Sequence, residues 1–206
     1  MTSPIIYAIK TQQQKAIHAG LAVLAIALML AANTVTAATI VKVEEFPRAD
    51  KLEISLKGAW RGALEYRDYQ SGNKFELPMT AQIEVGLDNA TITRVSTFDD
   101  GPVTGMVYIT TMSLFDKTAS KVTNAVFRKS RAVDMWIDDA KVTAYQDASH
   151  WAIVYQHVGI DNEKPAEVRI TQTLIGDTLI TLKEVKPVGA ADKDYLFRNQ
   201  VRLVRK

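Results

Sequence analysis

Strict alternation is the feature that most constrains this chain. Over residues 75–87 the side chains of Phe75, Leu77, Met79, Ala81, Ile83, Val85 and Leu87 take every second position, with Glu76, Pro78, Thr80, Gln82, Glu84 and Gly86 between them. A period of two sustained that long puts one face in a core and the other in water, which is the pattern of a half-buried β-strand. Pro78 has no N–H, so a bulge or a gap in pairing is expected beside it.

The same rhythm recurs almost to the end of the chain. Residues 60–69, 91–98, 104–115, 121–129, 131–137, 141–145, 151–160, 167–175, 179–185 and 195–204 all read as strands. They are separated by turn residues such as Ser71-Gly72-Asn73, Asp99-Asp100-Gly101-Pro102, Asp138-Asp139, Asp161-Asn162 and Gly176-Asp177. Short turns between evenly spaced strands imply antiparallel hairpins in sequence order. About ten strands in an open sheet would leave long edges, so closure into a barrel or folding into a sandwich is expected. A single helix is predicted ahead of them, over residues 47–57. Asp50 would be its N-cap and Glu53 would complete a capping box. Leu52 and Leu56 would form one apolar stripe, suited to lie across the end of such a fold.

The first 37 residues stand apart. Lys10 and Lys15 precede an uncharged apolar run over residues 19–32, and Val35 and Ala37 place small residues at −3 and −1 of a cleavage site. That is the pattern of a secretory signal peptide, with 38–206 as a single mature domain. The run is shorter than the roughly 20 residues of a membrane span, so no stable membrane insertion is expected after cleavage. Of the 25 Lys and Arg, two lie in this leader and none of the 23 Asp and Glu do, which leaves 23 of each in the mature part. A balanced surface has no electrostatic footprint for nucleic acid. The chain has no cysteine, which excludes a disulfide framework, a thiolate nucleophile and cysteine-based metal sites. About 170 residues suffice for one continuous core.

The predicted helix runs directly into Gly58-Ala59-Trp60. This resembles the Gly-x-Trp opening of the first strand in the calycin superfamily, which includes lipocalins, fatty-acid-binding proteins and nitrobindin-like haem barrels. The resemblance implies an all-β fold: an antiparallel up-and-down β-barrel with a short N-terminal helix closing one end. It also implies that Trp60 packs over that end under a basic side chain from the last strand. Arg205 is the first choice for this role, because it shares a face with Phe197, Val201 and Leu203; Arg202 replaces it if the register shifts. There is no C-terminal histidine of the kind that ligates haem in the nitrobindin-like barrels, so haem is not carried over and no cofactor is expected.

Residues that bear chemistry are few. His150 and His157 are seven apart on one strand, hence on opposite faces, and cannot jointly hold a metal; no metal site is expected. His157 shares its face with Trp151, Ile153 and Tyr155. Asp99-Asp100 and Asp138-Asp139 are expected to serve turns. Asp161-Asn162-Glu163 lacks the spacing of a calcium loop. No nucleophile elbow, P-loop or dinucleotide fingerprint occurs. Asn89-Ala90-Thr91 matches a glycosylation acceptor at a hairpin tip. What remains is polar side chains on otherwise apolar faces: Tyr66, Asn124, Tyr155, His157, Gln172 and Asn199. Buried amides and hydroxyls must find partners or a ligand.

The expected function is therefore that of a secreted or periplasmic container for a small, largely apolar molecule, without catalysis. Trp60, Tyr66, Tyr155, His157, Gln172 and Asn199 would contact the ligand, and Trp60 and Arg205 would close the barrel. Two alternatives stand beside it. One is an enzyme, a lyase, isomerase or hydrolase, using His157 and Tyr155 as an acid/base pair. The other is an envelope interaction protein using Arg198, Gln200 and Arg202 on the outside of the last strand.

Overall fold

Each strand pairs with the next in sequence, and the last returns to the first. A computed structural model describes residues 46–67, 72–116, 118 and 120–206, all within one unit, Glu44–Lys206. The predicted leader over residues 1–37, together with Tyr69 and Ser71, lies outside the described residues. After helix α1 (Ala49–Ile54) come β1 (Gly58–Arg67), β2 (Lys74–Val85), β3 (Thr91–Asp99), β4 (Met106–Asp116) and β5 (Lys121–Arg128). They are followed by β6 (Asp134–Asp147), β7 (His150–Asp161), β8 (Lys164–Ile175), β9 (Thr178–Pro187) and β10 (Leu196–Arg205). All neighbours are antiparallel, and β10 closes on β1 from Trp60↔Arg205 to Tyr66↔Asn199. The protein is an all-β, ten-stranded up-and-down barrel with a short helix at one end.

Closure depends on a close approach at this seam. A Cβ on Gly62 would stand 1.9 Å from the Arg202 carbonyl oxygen, so β10 can lie where it does only against a glycine. Pro78 sits at the edge of the β2–β3 ladder: it faces Ala63 on β1, while pairing with β3 begins at Met79. Its missing donor thus costs no ladder bond on the β3 side.

The main core packs at the helix end. Leu52 and Leu56 from α1 and the loop after it meet Trp60, Ile83, Ile153, Leu174, Leu179 and Leu203. Trp60 is fully buried and donates its Nε1–H to the Leu56 carbonyl at 2.8 Å. The Arg205 guanidinium lies 4.3 Å from the Trp60 ring centroid and donates to the carbonyls of Ser55 (2.9 Å) and Lys57 (3.0 Å). One cation therefore covers the indole and satisfies two carbonyls that the end of a helix leaves open.

Three local expectations are corrected. Arg48, not Asp50, precedes the helix, and no side chain caps it; Asp50 lies in the first turn, paired with Arg48, and Glu53 does not reach back to form a capping box. The segments 131–137 and 141–145 are not two strands around a turn, because β6 runs straight through Asp138-Asp139. Alternation along Trp136, Asp138, Ala140 and Val142 outweighed the turn preference of paired aspartates. On β10 a bulge between Phe197 and Asn199 takes Phe197 out of phase with Val201 and Leu203. It leaves Arg198 clasping Asp161 through Nε and Nη2 (2.9 and 2.5 Å to Oδ2), so Arg198 is not a solvated outer cation.

Candidate functional site

Above the helix-end core the barrel interior turns polar. Glu53 is the side chain α1 sends inward, and its burial is nearly complete at 5 % exposure. Its Oε1 accepts the Tyr155 hydroxyl at 2.7 Å and the Gln172 amide. Arg94, on the inner face of β3 opposite Ile83 and Thr111, approaches Glu53 Oε2 at 4.0 Å. A second carboxylate, Asp138, is 3 % exposed and has three donors: Asn124 Nδ2 (2.8 Å) and Trp136 Nε1 (2.9 Å) on Oδ2, and His157 Nδ1 (2.6 Å) on Oδ1. Ser113 extends this chain by donating to Asn124 Oδ1 at 2.7 Å.

These groups surround a cavity of about 160 Å³, with Ile92, Phe115, Val122 and Ile170 forming its apolar wall. A larger groove of about 330 Å³ runs beside α1, past Arg48, Asp116 and Lys141. We place the site in the smaller space, because only there do buried charges converge.

The donor and acceptor count inside the cavity is uneven. Both oxygens of Asp138 and Oε1 of Glu53 accept hydrogen bonds, whereas among the described residues Glu53 Oε2 has the 4.0 Å approach of Arg94 alone. Arg94 carries five N–H donors, and among the described residues its polar contact is the 4.0 Å approach to Glu53. Thr181 Oγ1 is buried without a hydrogen-bond partner among the described residues. The cavity therefore holds unused N–H donors on Arg94 and an unpartnered hydroxyl on Thr181, beside the Glu53 Oε2 acceptor.

Burial governs the electrostatics. It raises the Glu53 pKa above the usual carboxylate value, against the Arg94 charge and the Tyr155 and Gln172 hydrogen bonds, which pull it down. Burial, followed by the adjacent negative Glu53, pushes the Tyr155 phenol well up, so Tyr155 remains a proton donor at neutral pH. Lys183 is lowered by burial, although the negative Asp161 opposes the shift.

The residues singled out in the sequence fall into four places. Tyr155 and Gln172 line the cavity. His157 sits directly behind Asp138 and tilts against Trp136, with ring centroids 5.7 Å apart. Trp60 lies in the helix-end core, while Tyr66 and Asn199 face each other across the β1–β10 seam, where Tyr66 stacks on Phe75. Glu53, Arg94, Asp138 and Thr181 were missed. For Arg94 a signal existed, since it alternates with Ile92, Ser96 and Phe98 and so belongs to an inward face.

No family model matches the chain, and none of the curated proteins does. Among solved structures, Rv2717c from M. tuberculosis superposes with a TM-score of 0.53 at 14 % identity, covering 79 % of this chain and 99 % of that one. A protein of unknown function of the DUF3598 family from Nostoc punctiforme gives a TM-score of 0.21 at 10 % identity, covering 78 % of this chain and 100 % of that one. The first similarity shows a shared barrel fold; the second is too weak to carry an argument.

Proposed function

We propose that the protein is a calycin-like carrier that holds a small molecule bearing a carboxylate or similar anionic group inside its barrel, without converting it. One observation carries this reading: Arg94, whose approach to Glu53 Oε2 at 4.0 Å is too long for a hydrogen bond, and the Thr181 hydroxyl, without a partner among the described residues, face the same cavity. A planar acceptor set matches the fork of a guanidinium. The apolar wall of Ile92, Phe115, Val122 and Ile170 suits the remainder of the ligand, which the expectation of a largely apolar molecule had put first. Binding is favoured over the acid/base alternative because Tyr155 and His157, though on one face, are tied to different carboxylates.

The carrier works outside the cytoplasm on this reading, supported by the basic, apolar and small-residue succession over residues 10–37. Two measurements test the proposal. Native mass spectrometry before and after solvent extraction should reveal a co-purifying small anion, and a protein of bare mass that binds no anion on titration refutes the carrier. Sequencing the secreted chain should begin at Ala38; an intact Met1 on the exported protein removes the leader.

A further inference from the structure

The outer wall of the barrel is unequal. On β4, β5 and β6 the registers set Met112 beside Ala125 and Ala125 beside Met135, and in the next row Leu114 beside Thr123 and Thr123 beside Ile137. None of these outward positions is charged. Met112 is 41 % exposed, Leu114 51 %, Ile137 56 % and Met135 67 %, with Tyr108 and Phe127 exposed on the same face. The first charges along the strands are Asp116 and the Lys121–Asp139 pair at one margin and Asp99 at the other. By contrast, β8 and β9 carry the Arg169–Glu184 pair outward. An apolar field this continuous is uncommon on a free surface.

We infer that this face of β3–β6 is covered by a second copy of the same chain, in a two-fold symmetric dimer. At roughly 200 Å² for a fully exposed side chain of this size, the six large side chains, 41–67 % exposed, offer roughly 600 Å², the low end of one partner's share of a standard interface. Homodimer interfaces are the more apolar kind, and methionine and aromatic residues are enriched in them. With no charge at its centre, the patch offers nothing by which a charged partner would choose it. A two-fold axis instead sets the patch on itself, and needs no complementary sequence elsewhere. Two such sheet faces pack about 10 Å apart, with methionine filling the gaps between imperfectly matched rows.

Sedimentation velocity of the purified protein between about 1 and 100 µM, a range that brackets a micromolar Kd, should show a monomer giving way to a dimer. Met112→Lys combined with Met135→Lys should weaken dimerisation at least a hundred-fold while far-UV circular dichroism and melting stay unchanged. Gln200→Lys, on the outer face of β10 away from this patch, should leave the dimer intact. Should the double variant misfold, oxidation of Met112 and Met135 by peroxide in the unaltered protein serves instead, and it should slow as concentration rises. A monomer throughout the range, a dimer that survives both lysines, methionine oxidation independent of concentration, or a monomer that floats with phosphatidylcholine–phosphatidylglycerol vesicles through this face would each overturn the inference.

Discussion

Replacing Trp60 probes the closed end of the barrel most sharply. The indole is fully buried, hydrogen-bonded to the Leu56 carbonyl and roofed by Arg205. Truncation to alanine removes a large core side chain at a cost of about 3–5 kcal/mol. Trp60→Phe keeps most of the volume and loses the Nε1–H bond, worth about 1 kcal/mol, together with part of the cation–π attraction, about 0.5–1 kcal/mol for a partly exposed cation. The two variants should therefore differ by about 2–3 kcal/mol. In a domain of this size Trp60→Ala should lower Tm by about 6–20 °C. Urea titration followed by circular dichroism reads the free energies, and a calorimetric scan reads Tm. If Trp60→Ala costs less than about 1 kcal/mol, the helix end is not the packed cap described above, and α1 does not hold the barrel shut.

Other expectations follow from the interior and the seam. Glu53 has a pKa raised by burial, so its favourable contribution is present below the unfolded carboxylate value, about 4.3, and is lost as pH rises through the folded value. Glu53→Gln should accordingly gain stability relative to the unaltered protein between pH 4 and pH 7, and parallel melting curves across that range would contradict the sign. Asp138→Ala strips one buried and two part-buried donors of their acceptor, and urea titration should register a loss of about 3–5 kcal/mol. A loss below about 1 kcal/mol would mean those donors find partners elsewhere. Gly62→Ala drives a methyl into the Arg202 carbonyl, so expression and hydrogen exchange at the β1–β10 seam should both suffer. A native-like exchange pattern there would deny the tight seam.

The architecture was legible because its signal is repetitive. Alternation over residues 75–87 and its recurrence along the chain called for hairpins, and hairpins in sequence order needed only closure to give the observed ring. The failures came where a local preference and a face competed. Asp138-Asp139 resembles a turn, yet Trp136 and Ala140 on either side keep the period, and Asp138 is buried among partners on its own strand and the two strands beside it. Trp136 is two residues away on the same strand, but Asn124 on β5 and His157 on β7 lie outside any short window of sequence. The bulge at Arg198 was hidden for a similar reason, since its ion pair with Asp161 joins positions 37 residues apart. Glu53 looked like a capping residue because Asp50 stood three positions before it. Its turn toward Tyr155 and Gln172 depends on where β7 and β8 pass, which the helix alone does not encode.

Of the site, Tyr155, Gln172 and Asn124 were found by the rule that polar groups on apolar faces need partners. Arg94 was passed over although it obeys the same rule, because a basic residue in a strand is more often a solvated one.

Calorimetric titration of benzoate, with benzamide as its neutral counterpart, bears most directly on the carrier reading. Saturable benzoate binding should fall about ten- to hundred-fold in Arg94→Ala, the worth of a charged hydrogen bond, and benzamide should bind both proteins weakly. Benzoate binding that ignores the loss of Arg94, or a folded protein that takes up neither compound, would contradict the account.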